Sequence, residues 1–296
     1  MWNRITRWEK IRLKASGRYT RFKIPQLRQK NLRRSGSIQS SSLQIAKYER
    51  GKDILSRVVL ITGSTRGIGF AAAKIFLQSG DKVILVGRSE DALSRAESQL
   101  NGQTATLVWD LRDISAIPNK VAEAISKFGR LDVVINCAGY LSDSCRKNDF
   151  FAVRPEEWDT VMDTNVKSVF FLCQSVLRYM LEHQITGHIV NVCSEMAFRP
   201  IWYPYGVSKW GLRGLTEGLG RLMAPHGITV NGVAPGQTAT EMMGCKSGDP
   251  LTEPSIPRGV MSTPEEIAAV IYFLASEAAR NIMGEIVISD GARHLY

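Results

Sequence analysis

Histidine and cysteine are scarce, and neither is spaced to hold a metal. The four histidines (His183, His188, His226, His294) are scattered and read as surface or structural residues. The five cysteines (Cys137, Cys145, Cys173, Cys193, Cys245) are odd in number and form no Cys-x-x-Cys pair. Neither a zinc site nor a disulfide framework is indicated, which suits a reducing compartment and a cytoplasmic location. The first fifty residues contain no apolar run long enough for a signal-peptide core or a membrane span. Internal repeats of 20 to 50 residues are also missing, so a solenoid or propeller is not expected.

Acidic residues are nearly missing from one region. Residues 1–50 hold 14 Lys/Arg against Glu9 and Glu49, whereas the rest of the chain is close to neutral. The formal charge of +10 therefore describes an arm, and nucleic acid is not an expected partner of the remainder. On a helical wheel Met1, Ile5, Trp8, Ile11, Ala15, Tyr19 and Phe22 fall within an arc of about 120°, interrupted by Arg4 and Arg12 and weakened by Gly17. Three readings stand: a solvated basic tail, an interfacial helix in which residues 1–34 touch an anionic membrane or a partner, and an organelle transit peptide. Residues 37–56 serve as linker, which divides the chain into an arm over 1–53 and one domain over 54–296.

Within that domain short apolar runs alternate with amphipathic ones. Strands are expected at Val58–Thr62, Lys82–Val86, Thr104–Val108, Asp132–Ile135, Ile189–Val192, Ile228–Asn231 and Glu285–Ile288. Helices are expected at Ala71–Gln78, Asp91–Leu100, Ile114–Phe128, Pro155–Glu182, Tyr203–Met223 and Pro264–Ser276. Gly80, Gly129, Gly187, Gly227 and Gly284 fall between helix and strand, where helices commonly end. The alternation predicts an α/β fold: a Rossmann-type doubly wound parallel sheet of about seven strands.

Two stretches carry chemistry. Tyr205 and Lys209 stand one helical turn apart, on one face. A tyrosine hydroxyl, with an ordinary pKa of about 10, can give its proton to a carbonyl oxygen, and a nearby ammonium makes that proton easier to release. Ser194 follows the apolar run His188–Cys193, placing its hydroxyl at a strand's carboxyl end, where open α/β sheets bind ligands. A chance pairing of surface residues is the alternative for Tyr205 and Lys209 alone. The other stretch is Thr62-Gly-Ser-Thr-Arg-Gly-Ile-Gly69, between the first strand and a helix that begins at Phe70. Glycines in such a turn let the backbone approach a pyrophosphate, whose charge the helix amino terminus meets.

Together these stretches resemble the short-chain dehydrogenase/reductase family, including its 3-oxoacyl-carrier-protein reductase-like members, over about residues 54 to 293. Asn136-Cys-Ala-Gly139 is similar to that family's Asn-Asn-Ala-Gly, with Cys137 replacing the second Asn. The resemblance implies that Gly63, Ser64, Thr65, Arg66, Gly67, Ile68, Gly69, Arg88, Asp110, Leu111, Asn136, Ala138, Gly139, Pro235, Gly236, Thr238 and Thr240 contact a nicotinamide cofactor, along with Tyr205 and Lys209. It also implies hydride transfer between that cofactor and a carbonyl or secondary alcohol. Tyr205 would be the general acid, and Lys209 would lower the pKa of Tyr205 and hold the ribose. Ser194 would position the carbonyl oxygen, and Asn165 would keep a water beside Lys209. Gly87-Arg88 follows the second strand where an acidic residue would select NAD(H), and Arg66 sits in the turn. Two guanidinium groups favour a 2′-phosphate and hence NADP(H), although Glu90 is placed to neutralise Arg88.

This chain departs from the family pattern twice. Ser194 lies 11 residues before Tyr205, about two fewer than the family usually leaves, and Asn148–Pro155 lengthens the loop after the fourth strand. Both changes reshape the substrate mouth; Trp202, Tyr203 and Phe198 flank it and read either as its lining or as simple packing. Trp158 and Trp210 read as helix-face packing, and Met242 and Met243 as a lid or gap-filling core. Expected substrates are a 3-oxoacyl thioester, a ketone or a keto-sugar, free or carrier-bound. A homotetramer or homodimer is expected through the long helices. A cofactor-binding sensor or scaffold targeted by the arm is the competing reading.

Overall fold

Aliphatic runs become strands because both faces of the sheet are covered. The computed structural model describes residues 56–143, 149–246 and 248–295; the basic arm, with its expected helix and linker, lies outside them. The strands are β1 Val58–Thr62, β2 Lys82–Gly87, β3 Thr104–Val108, β4 Val133–Asn136, β5 His188–Val192, β6 Thr229–Pro235 and β7 Ile286–Ser289. All pair in parallel, in the order β3-β2-β1-β4-β5-β6-β7. The order reverses between β1 and β4. At that switch point a crevice opens beyond the carboxyl ends of the strands.

The main helices are α1 Gly67–Gln78, α2 Glu90–Glu97, α3 Ile117–Phe128, α4 Pro155–Met162, α5 Ser168–Glu182, α6 Pro204–Met223 and α7 Pro264–Leu274. Alternation along β1 divides them between two cores. Val58 and Leu60 face the core that holds Val121 of α3, Leu172 of α5 and Leu212 of α6. Val59 and Ile61 face the core of Phe76 of α1, Leu93 of α2 and Ile271 of α7. Leu60 and Ile61 are fully buried, each contributing about 1.5–3 kcal/mol of hydrophobic free energy.

The structure corrects several expectations. α1 begins at Gly67, three residues before Phe70, so Gly67, Ile68 and Gly69 form its first turn. The helix expected over Pro155–Glu182 is broken by a π-helical turn at Asp163–Lys167, with α4 before it and α5 after. Gly187 ends no helix. Gln184, with φ 55°, makes the left-handed turn after α5, and Gly187 is small because a Cβ there would lie 2.5 Å from the Asp132 carbonyl oxygen. Trp158 and Trp210 are partly exposed, although Trp210 Nε1 donates to the Arg199 carbonyl (3.1 Å) and the Arg213 guanidinium lies 5.5 Å from its ring, and Met242 and Met243 lie at the surface in a short 3-10 turn, against the gap-filling reading.

Candidate active site

Pro204 opens α6 at a position where a helix amide needs no partner, so the missing N–H costs nothing there. The shortened loop before it packs tightly: a Cβ on Gly206 would lie 2.2 Å from Ile201. One turn into α6, the ammonium of Lys209 lies 5.5 Å from the ring centroid of Tyr205 and donates to the Val192 carbonyl at the end of β5 (2.8 Å). Lys209 is buried, and burial lowers its pKa from the ordinary lysine value. Two residues beyond Val192, Ser194 is also buried, and its Oγ accepts from the Met196 amide (3.3 Å), capping the 3-10 turn Glu195–Phe198.

Asn165 reaches this group through the π turn. Such a turn rotates a helix face by inserting a residue, and π-bulges are frequent at functional sites. Fully buried, Asn165 accepts from the Tyr140 amide (2.8 Å) and donates to the Tyr140 carbonyl (3.1 Å) and to Ser208 Oγ (3.0 Å). Ser208 Oγ in turn donates to the Tyr205 carbonyl (2.6 Å). Between them sits Gly139. A Cβ there would stand 3.7 Å from Asn165 Oδ1 and 3.8 Å from Lys209 Nζ. The strand ends, the π turn and α6 thus bring Asn165 and Lys209 to Gly139, with the Tyr205 ring beside Lys209 and Ser194 leading out of β5.

The glycine turn lies across the switch point. Gly63 has φ +66°, and a Cβ on it would come within 2.8 Å of Ala138 Cα. A Cβ on Gly69 would lie 2.4 Å from the Gly63 carbonyl oxygen, so helix and turn approach as only glycine allows. Thr62 Oγ1 accepts from the amides of Cys137 (3.0 Å) and Ala138 (3.1 Å), fastening the loop after β4 to the end of β1. The amino terminus of α1 has no side-chain cap and no acid in its first turn, an arrangement that fits a phosphate anion. The segment after β6 folds over it. Thr238 Oγ1 donates to the Gly236 carbonyl, Thr240 packs 3.3 Å from the position a Cβ on Gly67 would take, and Arg66 pairs with Glu241 (2.5 Å). Pro235 ends β6, and Gly236 lies against Asp290.

Not every expected cofactor contact is a free side chain. The Ser64 hydroxyl accepts from the Val86 amide (2.9 Å), tying the turn to β2, and the Thr65 methyl packs on Gly87. Leu111 is nearly buried. Asp110 pairs with Arg112 (2.6 Å), which holds its carboxyl below the ordinary range, with Arg88 adding to the effect. Asn136 points into the sheet: its Nδ2 donates to Asn191 Oδ1 (2.8 Å), and Asn191 Nδ2 donates to Thr216 Oγ1 (2.9 Å). Asn191, Thr216 and Ser208 escaped the sequence reading, as did the side-chain role of Thr62. One signal was available, since Asn136 and Asn191 are polar residues in apolar strands and stand in register. A burial also missed is that of Glu195, which accepts from Arg199 and from Arg293 near the carboxyl end.

Similarity to known proteins extends over nearly all of the described residues. The family model for short chain dehydrogenases matches residues 57–249. The 3-oxoacyl-[acyl-carrier-protein] reductase FabG of Chlamydia muridarum is 33% identical over 246 residues, covering 80% of this chain and 97% of that protein. A 3alpha-hydroxysteroid dehydrogenase of Mediterraneibacter gnavus is 36% identical over 247 residues, covering 80% of this chain and 96% of its own length. Among solved structures, ElxO with NADP bound superposes with a TM-score of 0.73 at 29% identity, covering 82% of this chain and 100% of that one. With the glycine turn, the Tyr205–Lys209 helix and the seven-stranded sheet in place, this chain belongs to the short-chain dehydrogenase/reductase family.

Proposed function

We propose that this oxidoreductase uses NADP(H) to interconvert a carbonyl compound and a secondary alcohol, with Tyr205 as its proton donor and acceptor. The observation that carries the reading is the meeting of Lys209 and Asn165 at Gly139, with the Tyr205 ring beside Lys209 and an uncapped helix amino terminus across the switch point. Gly63, Gly69 and the first turn of α1 would hold the pyrophosphate, Arg66 and Arg88 the 2′-phosphate, and Lys209 the ribose hydroxyls. ElxO, a relative with NADP bound, supports that choice of cofactor. When bound, the reduced cofactor supplies the hydride.

The chain's own residues manage the oxygen. Tyr205 gives its hydroxyl proton to the carbonyl oxygen as negative charge develops there, and takes it back in the oxidation direction. Lys209 favours the phenolate that is left behind, and the Val192 carbonyl holds the ammonium against the desolvation that lowers its pKa. The Ser194 hydroxyl accepts from Met196, which leaves its proton to orient the substrate oxygen. Asn165, fixed by three hydrogen bonds, places a water next to Lys209 for resupply of the proton. Substrates of the 3-oxoacyl thioester, ketone or keto-sugar classes suit this chemistry. Exposed Phe170, Trp210 and Leu222 on α5 and α6 favour a homodimer or homotetramer, and light scattering after gel filtration reads that directly.

Titration with NADPH and NADH, followed by nicotinamide fluorescence, tests the cofactor. NADPH is expected to bind at least tenfold more tightly, and Arg88→Asp to remove that preference. Equal affinities in the unaltered protein would mean that Arg88 is turned away from the 2′ position.

A further inference from the structure

The shortened and lengthened loops meet. Phe150, in the loop after β4, packs edge-to-face on Trp202, which lies three residues before Tyr205 (centroids 5.7 Å apart, planes at 81°). Phe151 packs on Phe150 in the same manner (5.4 Å, 81°), and Trp202 on Tyr203 (5.2 Å, 85°). The Tyr203 hydroxyl donates to Met196 Sδ (2.9 Å), and the Met196 amide donates to Ser194 Oγ. A continuous line of rings thus runs from Phe151 to Tyr203, and Met196 links it to the serine. Its outer members are left in water: Phe151 is 94% exposed, Phe150 57% and Trp202 37%. Single exposed aromatics are ordinary, but a contiguous stepped group at a site mouth marks a binding surface.

We propose that the substrate of this enzyme carries its carbonyl on a flat, apolar ring system, received by Phe150, Phe151 and Trp202. The proposal rests on the oxidoreductase reading and names the substrate class of that site. Rings set perpendicular to one another form a corner: a planar ligand stacks on one face while meeting the edge of the next, which matches the ring quadrupoles. The turn presenting them is pinned, since Asp149 Oδ1 accepts from the amides of Phe151 (3.0 Å) and Ala152 (3.3 Å). A rigid ring loses little freedom on entering such a corner, whereas an open acyl chain loses its rotors. Charge argues the same way. Arg199 is the one cation between Ser194 and Lys209, and it is spent on the buried Glu195 (2.8 Å), so the segment offers nothing to an anionic headgroup.

Two ketones of equal carbon number, 2-tetralone and 2-decanone, test the idea with NADPH. The ratio of their kcat/KM values is expected to favour 2-tetralone by at least tenfold. In Phe150→Leu/Phe151→Leu and in Trp202→Leu that ratio should fall at least tenfold, chiefly through KM. A ratio within twofold of the unaltered enzyme, or a preference for 2-decanone, would overturn the proposal. So would an unchanged ratio with an altered oligomeric state, which would assign the rings to a subunit contact. Tyr205→Phe separates the two ideas: turnover of both ketones that survives this change removes Tyr205 as the proton donor of the proposed reaction, whatever the ratio does. Binding is read independently in cofactor-free protein. There 2-tetralone should saturably quench a tryptophan fluorescence component that is lost in Trp202→Leu, and the lack of such quenching overturns the proposal even if neither ketone is turned over.

Discussion

The two ends of one sheet bury polar groups in opposite ways. At the amino end charges are answered by charges. Arg57 pairs with Asp81 (2.6 Å) while its guanidinium lies over the rings of Phe76 and Tyr272, and Asp132 accepts from Arg130 and from the Val58 amide (2.9 Å). His188 is held neutral against Thr229 (2.8 Å), because burial, and then Arg57, push its pKa down to about 4. A groove of about 400 Å³ lies there, lined by Arg130, Asp132, Tyr179 and His183, yet it is at the wrong end of the strands for ligand chemistry in such a fold. At the carboxyl end the buried groups are mostly neutral relays through Thr62, Asn136, Asn191, Asn165 and Ser208, with one carboxylate, Glu195, answered by Arg199 and Arg293, and one cation left without a countercharge. Lys209 has a carbonyl for a partner and, among the described residues, no carboxylate within ion-pair distance. An unmatched buried charge costs stability and is retained where a function uses it. One end holds the sheet together, and the other stays poised.

The sharpest way to break this contrast is at Tyr205. Tyr205→Phe is expected to lower kcat by roughly 10²–10⁴-fold with little change in melting temperature, as measured by steady-state turnover and thermal unfolding. Asp81→Asn should do the reverse. It strands Arg57, costs about 3 kcal/mol in urea unfolding, and leaves kcat/KM within about twofold. A pH-dependent effect of similar size belongs to His188. Its folded pKa of about 4 lies below the ordinary 6.5, so the unfolded chain takes up a proton first. This group's contribution is complete above pH 6.5 and is lost as pH falls toward 4, by about 1.4 kcal/mol per unit. Glu277, Arg280 and Asp132 also face it, with opposing effects. His188→Asn should flatten that part of the stability profile, and an unchanged slope would mean that other groups carry the acid sensitivity.

Much of the carboxyl end was legible because its chemistry is written locally. Gly63 to Gly69 and Tyr205 to Lys209 each fall within a few residues, and strand ends announce where they point. The π turn was not legible: apolar periodicity runs unbroken from Pro155 to Glu182, and the inserted step shows only in which residues bond to Asn165. α1 starts before Phe70 because the tight approach of Gly69 to Gly63 outweighs the poor helix propensity of glycine. The amino-end pairs were invisible for another reason. Arg57 and Asp81 are 24 residues apart, and the approach of one strand start to another follows from sheet order alone. The partial exposure of Trp158 and Trp210 was not legible either, because amphipathic spacing says which residues share a face, not what lies against it.

Phe151, almost wholly in water, has a consequence for how this chain can change over generations. Substitutions at a position so exposed usually shift stability by no more than about 0.5 kcal/mol. Lineages carrying different residues there would fold equally well while differing in what they recognise. The mouth is therefore a place where inheritance can explore new substrates without putting the sheet beneath it at risk.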